Sequence, residues 1–122
     1  MEFNEYQKKA NTTNVTLEKV IEKFPDLPED ILKTLELTYV GLGLGEAGEV
    51  QGKIKKLIRD CAGGIPQDKK EAVLDELGDL LWYMAGVCTV LGADLSEVAQ
   101  NNLNKLQSRK ERGVLHGSGD NR

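Results

Sequence analysis

Two pairs of acidic residues share one spacing in this chain. Ala-Gly separates Glu46 from Glu49, and Leu-Gly separates Glu76 from Asp79. Residues three apart lie on one face of a helix, so each pair would present both carboxylates together. Apolar residues flank both pairs, and carboxylates in such surroundings repel one another and lose hydration. A hard divalent cation such as Mg²⁺ removes both penalties by taking oxygen ligands, so the four acids predict a metal site of the kind that handles phosphate.

The elements that carry the two pairs should bring them together. Apolar residues at helical spacing predict one helix over residues 28–59, opened by Pro28, and another over residues 68–91. A short turn around Gly64 and Pro66 joins them, so the two helices should be antiparallel. Since Glu49 and Asp79 lie about equally far from that turn, we expect all four acids at the same height.

The ligand types narrow the choice of metal. A single Glu-x-x-Glu pair is typical of a solvated helix face, but a second pair at matching height favours a shared ion. The Glu-x-x-His motifs of di-iron bundles are absent, and the lone histidine, His116, lies near the chain end. All-oxygen ligation therefore predicts Mg²⁺, with Mn²⁺ as a substitute.

The rest of the chain also has helical patterns. Short helices are predicted over residues 3–12 and 17–24, the second with Thr16 as N-cap, and Gly92 should close the helix over 68–91. A last helix should run from Leu95 to near Gly113. No alternating apolar pattern supports a sheet. We expect an all-α, four-helix-bundle-like domain over residues 1–112, followed by a glycine-rich tail over residues 113–122.

Length and charge exclude several classes of protein. A chain of 122 residues suits one domain, and a net charge of −4 gives no general nucleic-acid footprint. No apolar run approaches the length of a membrane span, and the polar start of the chain is unlike a signal peptide. Cys61 and Cys88 form no metal-ligand or disulfide pattern. We therefore expect a cytoplasmic protein that has neither nucleic acid nor membrane as a partner.

Four glycines form one stripe along the helix that carries the first acidic pair. They are Gly41, Gly45, Gly48 and Gly52. Each glycine inside a helix costs about 1 kcal/mol relative to alanine, so the stripe needs a reason. Close packing of another helix is one, and room for a phosphate or a base beside the acids is the other. The two explanations are compatible, and the sequence does not choose between them.

Candidate substrate contacts lie on both of the last two helices. Tyr83 lies four residues beyond Asp79, and its hydroxyl would reach a phosphate bound at the metal, although a tyrosine there is more often a core residue. Asn102, Lys105 and Arg109 lie at spacings of three and four on one face of the last helix. That face is either a local anion site or a solvated basic surface.

With these residues identified, the chain resembles the MazG-like family of all-α nucleoside triphosphate pyrophosphohydrolases. The matching signature is Gly41-Leu-Gly-Leu-Gly-Glu46-Ala-Gly-Glu49-Val50, then Glu76-Leu-Gly-Asp79-Leu-Leu-Trp-Tyr83, then Asn102-Leu-Asn-Lys105-Leu106-Gln-Ser-Arg109. The match covers about residues 30–112. The two ends of the chain resemble stand-alone, often phage-borne, members more than tandem-domain ones.

The resemblance implies an activity and roles for residues. It implies Mg²⁺-dependent cleavage of a nucleoside triphosphate, with a deoxynucleotide favoured, between the α and β phosphates, for control or cleaning of the nucleotide pool. It assigns the metal to the acidic quartet, with Glu46 and Glu49 also catalytic, and the substrate phosphates to Lys105 and Arg109. Some relatives carry a further acid where this chain has Gly45, so the identity of the general base stays open.

The sequence also predicts that several copies of the chain assemble. The helix predicted over residues 68–91 is apolar nearly all the way round, so we expect its outer face to be buried in a homo-oligomer, with a tetramer favoured over a dimer. The last helix and tail of one subunit would then reach the acidic site of another. Two alternative functions remain open besides hydrolysis of a nucleoside triphosphate. One is a non-catalytic, metal-binding helical oligomer, and the other is a pyrophosphohydrolase that acts on a phosphoribosyl-ATP-type substrate.

Overall fold

The computed structural model describes all 122 residues, and every regular element in it is helical. The six α-helices are α1 (Phe3–Asn11), α2 (Thr16–Lys23), α3 (Glu29–Leu42), α4 (Glu46–Asp60), α5 (Gln67–Val90) and α6 (Leu95–Glu111). A short 3₁₀ turn, Gly43–Gly45, links α3 to α4. The expected all-α class is confirmed. No helix combines the length and the apolar character that crossing a membrane would need.

Helix α5 is the centre of the fold. It forms its most extensive packing with α4, and α1, α3 and α6 also contact it. At the crossing with α3, Val40 lies so close to Gly86 that a Cβ on Gly86 would come within 2.8 Å of the Val40 side chain. The helix that carries the second acidic pair is therefore held by four other helices of the same chain.

The prediction of a single helix over residues 28–59 is wrong, because a 3₁₀ turn divides this segment into α3 and α4. Three glycines at alternate positions, Gly41, Gly43 and Gly45, weaken helical preference where the 3₁₀ turn tightens the chain. The backbone keeps right-handed helical angles throughout the turn. Glu46 consequently becomes the first residue of α4 rather than a residue in the middle of a long helix.

The predicted ends of the helices are mostly confirmed. Pro28 and Pro66 precede the first residues of α3 and α5, as suits residues with fixed φ. Gly92, at φ 67°, lies just beyond the end of α5, and the Ala93 N–H donates back to the Cys88 carbonyl at 2.9 Å. Thr16 is not the N-cap of α2. It is the first helical residue, and its N–H donates to Asn14 Oδ1 at 3.0 Å.

Side chains of α1 satisfy the start of α6. Buried Gln7 accepts the Leu95 N–H through Oε1 at 2.7 Å, and its Nε2 donates to the Ala93 carbonyl at 2.8 Å. Asn4 Oδ1 accepts the Ser96 N–H at 3.1 Å. The first N–H groups of a helix have no partner within it, so these two side chains act as a cap supplied by another helix. They fix α1 and α6 to each other.

The interior of one chain is small. Only 9 of 122 residues are buried, and one cluster of the core joins Ala85, Cys88 and Leu95, against which Tyr6 and Leu81 pack. Burial raises the pKa of the Cys88 thiol, which marks that position as apolar. The expectation that α5 is covered on every side is not met within one chain. An exposed apolar stripe remains on one face of it, formed by Leu74, Leu77 and Met84 and continued by Leu91 just beyond its last residue.

Removing the Gln7 cap should destabilise the fold. Gln7→Ala leaves the buried Leu95 N–H and the Ala93 carbonyl without their partner, so we expect the free energy of unfolding to fall by about 2 kcal/mol. Urea denaturation at one fixed protein concentration measures the change. Gln107→Ala is the control, because Gln107 is exposed and bonds only Glu111, and it should alter stability by less than about 0.5 kcal/mol. Equal effects in the two variants would contradict the capping role.

Candidate active site

Three of the four predicted carboxylates meet between α4 and α5. Glu46, Glu76 and Asp79 each offer an oxygen, and these oxygens all lie within 4.8 Å of one another. Oxygens bound to one Mg²⁺ at about 2.1 Å lie up to about 4.2 Å apart, so small side-chain rotations would let all three share an ion. Glu46 and Glu76 are half-buried and Asp79 is exposed, which leaves the cluster open on one side. The donor set and its geometry fit a divalent cation.

Glu49 lies apart from this cluster. It is one turn after Glu46 on α4, its side chain is exposed, and its carboxylate is not among the oxygens that share the 4.8 Å group. Its roles as a metal ligand and as a catalytic residue therefore stay predictions.

A lysine outside the acidic motifs joins the cluster. Lys53 Nζ lies 3.5 Å from Glu76 Oε1, and the two side chains are 36% and 19% exposed. Lys53 lies four residues beyond Glu49 and seven beyond Glu46, so it occupies the same face of α4. That spacing is the signal in the sequence that could have identified it. The site thus contains one positive charge as well as the acids.

An open cavity of about 360 Å³ lies beside the carboxylates. Its lining residues are two acids, Glu46 and Asp79, and two aromatic residues, Trp82 and Tyr83. Its volume falls in the range that is usual for sites of small ligands. A lining of carboxylates and aromatic rings suits a ligand that combines a metal-bound phosphate with a flat apolar group.

The position of Tyr83 depends on the 3₁₀ turn. A Cβ built on Gly43 would lie 2.0 Å from the Tyr83 ring, so no side chain larger than hydrogen fits there while the ring stays in place. Trp82 contacts the same ring edge-to-face, with centroids 5.0 Å apart. Trp82 and Tyr83 together form an aromatic wall of the cavity. The Trp82 Nε1 donates to Thr13 Oγ1 at 2.8 Å, which ties this wall to the connection between α1 and α2. The interrupted helix therefore shapes the cavity.

Tyr6 brings α1 to the edge of the site. Burial, and in second place the negative charge of Asp79, raise the pKa of the Tyr6 hydroxyl above its ordinary value. Both effects favour the protonated hydroxyl over the phenolate. The local sequence places Tyr6 only on an apolar stripe of α1, because nothing local brings residues 6 and 79 together.

The predicted residues of α6 do not reach this cavity within one chain. Asn102 and Lys105 are exposed and do not line it. Arg109 is 6% exposed, and its guanidinium donates to the carbonyl of Asp120 in the tail at 2.9 Å. Arg112 likewise donates to the main-chain oxygen of Arg122 at 3.1 Å. The tail folds back on its own helix, and the acids and the basic residues of α6 stay separate.

The glycine stripe is open. A Cβ on Gly41, Gly45, Gly48 or Gly52 would meet nothing within 4 Å. Close packing of another helix of the same chain therefore does not explain the stripe. The space that remains is consistent with the other explanation, room for a ligand beside α4.

Comparison with known proteins gives one family and one relative. Residues 35–114 match the model of the MazG nucleotide pyrophosphohydrolase domain, which is more than half of the chain. The chain is also 55% identical over 87 residues to the Gene 37 protein of Mycobacterium phage L5, an overlap of 70% of this chain and 76% of the phage protein. The expected likeness to phage-borne members is confirmed. No solved structure matches the chain.

A substitution at Gly43 should disturb the aromatic wall. Gly43→Ala forces the Tyr83 ring to move, so we expect a loss of about 1–3 kcal/mol in stability and a change in the fluorescence of Trp82, the single tryptophan. Gly41→Ala is the matched control. A Cβ there meets nothing, and alanine in a helix should leave the fluorescence unchanged and stabilise by up to about 1 kcal/mol. If both variants keep wild-type fluorescence and stability, the Gly43–Tyr83 contact does not constrain the site.

Proposed function

The chain belongs to the MazG nucleotide pyrophosphohydrolase family, and on that premise we propose that it hydrolyses a nucleoside triphosphate, preferentially a deoxynucleotide, to the monophosphate and pyrophosphate. Water attacks so that a new P–O bond forms while the bond that links the α and β phosphates breaks. The observation that carries this proposal is the convergence of three carboxylates beside an aromatic cavity. Its biological purpose would be control or cleaning of the nucleotide pool in the cytoplasm.

We assign the metal to Glu46, Glu76 and Asp79, whose oxygens converge. We propose that Glu49, one turn after Glu46, completes the set when the ion is bound. When bound there, Mg²⁺ or Mn²⁺ supplies neutralisation of triphosphate charge and a lower pKa for a coordinated water. The half-buried position of Glu46 and Glu76 reduces competition from bulk water for their carboxylates. Glu46 and Glu49, on adjacent turns of α4, are the two candidates to accept the proton of the attacking water.

The aromatic wall would hold the rest of the substrate. Tyr83 lines the cavity four residues beyond Asp79, and its hydroxyl would donate to a phosphate oxygen, while the Trp82 ring would offer an apolar surface beside it. Pi surfaces bind every base, so this wall supports binding of a nucleotide without choosing among the bases.

The cations of α6 would act between subunits. Because Asn102, Lys105 and Arg109 do not line the cavity of their own chain, we propose that they serve the site of a neighbouring subunit, where positioned cations would stabilise the leaving pyrophosphate. The tail that contacts Arg109 would then lie at the same junction and complete the phosphate pocket.

Loss of a metal ligand should remove turnover. Replacing a residue that hydrogen-bonds a metal ligand typically lowers metal affinity or activity about 10–100-fold. Asp79→Asn and Glu49→Gln replace proposed ligands themselves, so each should lower turnover by at least about 100-fold. Asp75→Asn is the control, because Asp75 is an exposed acid on α5 outside the cluster. The assay screens all nucleoside and deoxynucleoside triphosphates with Mg²⁺, adds inorganic pyrophosphatase, and measures phosphate with malachite green.

Thermal scans provide the second measurement. Millimolar Mg²⁺ should raise the Tm of the wild-type protein above its value in EDTA, and raise that of Asp79→Asn by less. Full activity of both ligand variants at saturating Mg²⁺ would remove the metal assignment. A wild-type protein that gains stability from Mg²⁺ but cleaves none of the triphosphates would be the non-catalytic metal-binding alternative, or would require a phosphoribosyl-ATP-type substrate.

The exposed apolar surface supports assembly, and we propose a homo-oligomer, with a tetramer favoured over a dimer. The exposed stripe of α5 and the exposed Ile54 and Ile58 of α4 would be covered by partner helices. Light scattering at micromolar concentration should give a mass of four chains, each of 13.4 kDa. Leu77→Lys, in the middle of the stripe, should shift the mass toward smaller species, whereas the exposed Asp75→Asn should not. A wild-type monomer would contradict the assembly.

A further inference from the structure

The ion pair between Lys53 and Glu76 differs from the other ion pairs of the chain. Each of the other four joins residues of one helix, whereas this pair links α4 to α5. It is also the one that lies at the acidic cluster, because Glu76 is one of the three converging carboxylates. An ammonium at this place changes the electrostatic attraction of the carboxylates for a cation.

The charges explain what Lys53 does in the cluster. Three carboxylates with oxygens within 4.8 Å repel one another, and an ammonium 3.5 Å from Glu76 Oε1 offsets part of that repulsion. A divalent cation at the same carboxylates would be repelled by that ammonium. Lys53 and the cation therefore compete for Glu76.

The Lys53 ammonium would also have an alternative binding partner. An ammonium is a compact charge on a flexible four-carbon stem with three donors. The cavity beside Glu46 and Asp79 is where phosphates would lie, and both acids have oxygens within 4.8 Å of one on Glu76. For a Lys53 side chain that left Glu76, a phosphate bound in that cavity would be the alternative anionic partner.

We propose that Lys53 exchanges partners during binding: it pairs with Glu76 while that carboxylate holds no cation, and it would bind the phosphates of the substrate once Glu76 serves as a metal ligand. This inference rests on the proposed function for the identity of the substrate. The proposal predicts opposite changes in two affinities, because removal of the ammonium should strengthen binding of the cation and weaken binding of phosphate. A residue that only supports the fold would weaken both.

The test compares Lys53→Met with Lys53→Arg, which keeps the charge, and with Lys55→Met, an exposed lysine of α4 that makes no ion pair. Binding of Mn²⁺ to the nucleotide-free protein is measured by the electron paramagnetic resonance of free Mn²⁺. Binding of inorganic pyrophosphate at saturating Mn²⁺ is measured by calorimetry. Circular dichroism checks the fold, and Lys53→Gln provides a second variant without the charge.

We expect Lys53→Met to bind Mn²⁺ about threefold more tightly or better, and pyrophosphate about threefold more weakly or worse, than the wild-type protein. Lys53→Arg should restore most of both values, and Lys55→Met should match the wild type. Unchanged or weaker Mn²⁺ binding by Lys53→Met would overturn the competition, and unchanged pyrophosphate binding would overturn the exchange. Neither measurement needs turnover, so a wild-type protein that hydrolyses no nucleotide would refute the proposed function while the two affinities still decide the role of Lys53.

Discussion

Mutual repulsion of the carboxylates is the constraint on which the site depends. Two negative charges about 4 Å apart repel by about 1 kcal/mol in water and about 4 kcal/mol at the effective dielectric near a protein surface. Glu46, Glu76 and Asp79 are held near that separation because α4 and α5 pack along their length. Helix α5 is held in turn by α1, α3 and α6, so packing throughout the chain maintains an arrangement that its charges oppose.

The same packing forms the walls of the cavity. The 3₁₀ turn at Gly43–Gly45 leaves room for the Tyr83 ring, and Trp82 reaches from that ring to Thr13 beyond α1. A change in any of these three elements would therefore move the aromatic side of the site relative to the acids. The interruption of the long helix is part of the architecture of the cavity.

A single chain buries few apolar side chains for a protein of 122 residues. Most large apolar side chains remain at least partly exposed, and buried polar contacts such as those of Gln7 take part in fixing α1 and α6. The exposed stripe of α5 lies on the helix that carries two of the three clustered acids. Assembly and the site would therefore be coupled, which agrees with the proposal that α6 of a neighbouring subunit supplies the cations.

Local periodicity and spacing were enough to specify the all-α class, the helix start after Pro28, the helix end before Gly92, and the meeting of Glu46 with the two acids of α5. The family was identified by the resemblance of the acidic motifs. These features depend on residues a few positions apart and on one short turn, so the amino-acid order carries them. The remaining features needed the folded chain, because contacts between distant residues leave no local pattern. Folding placed Lys53 against Glu76, Tyr6 near Asp79 and Gly43 against Tyr83, and it buried Arg109 under the tail.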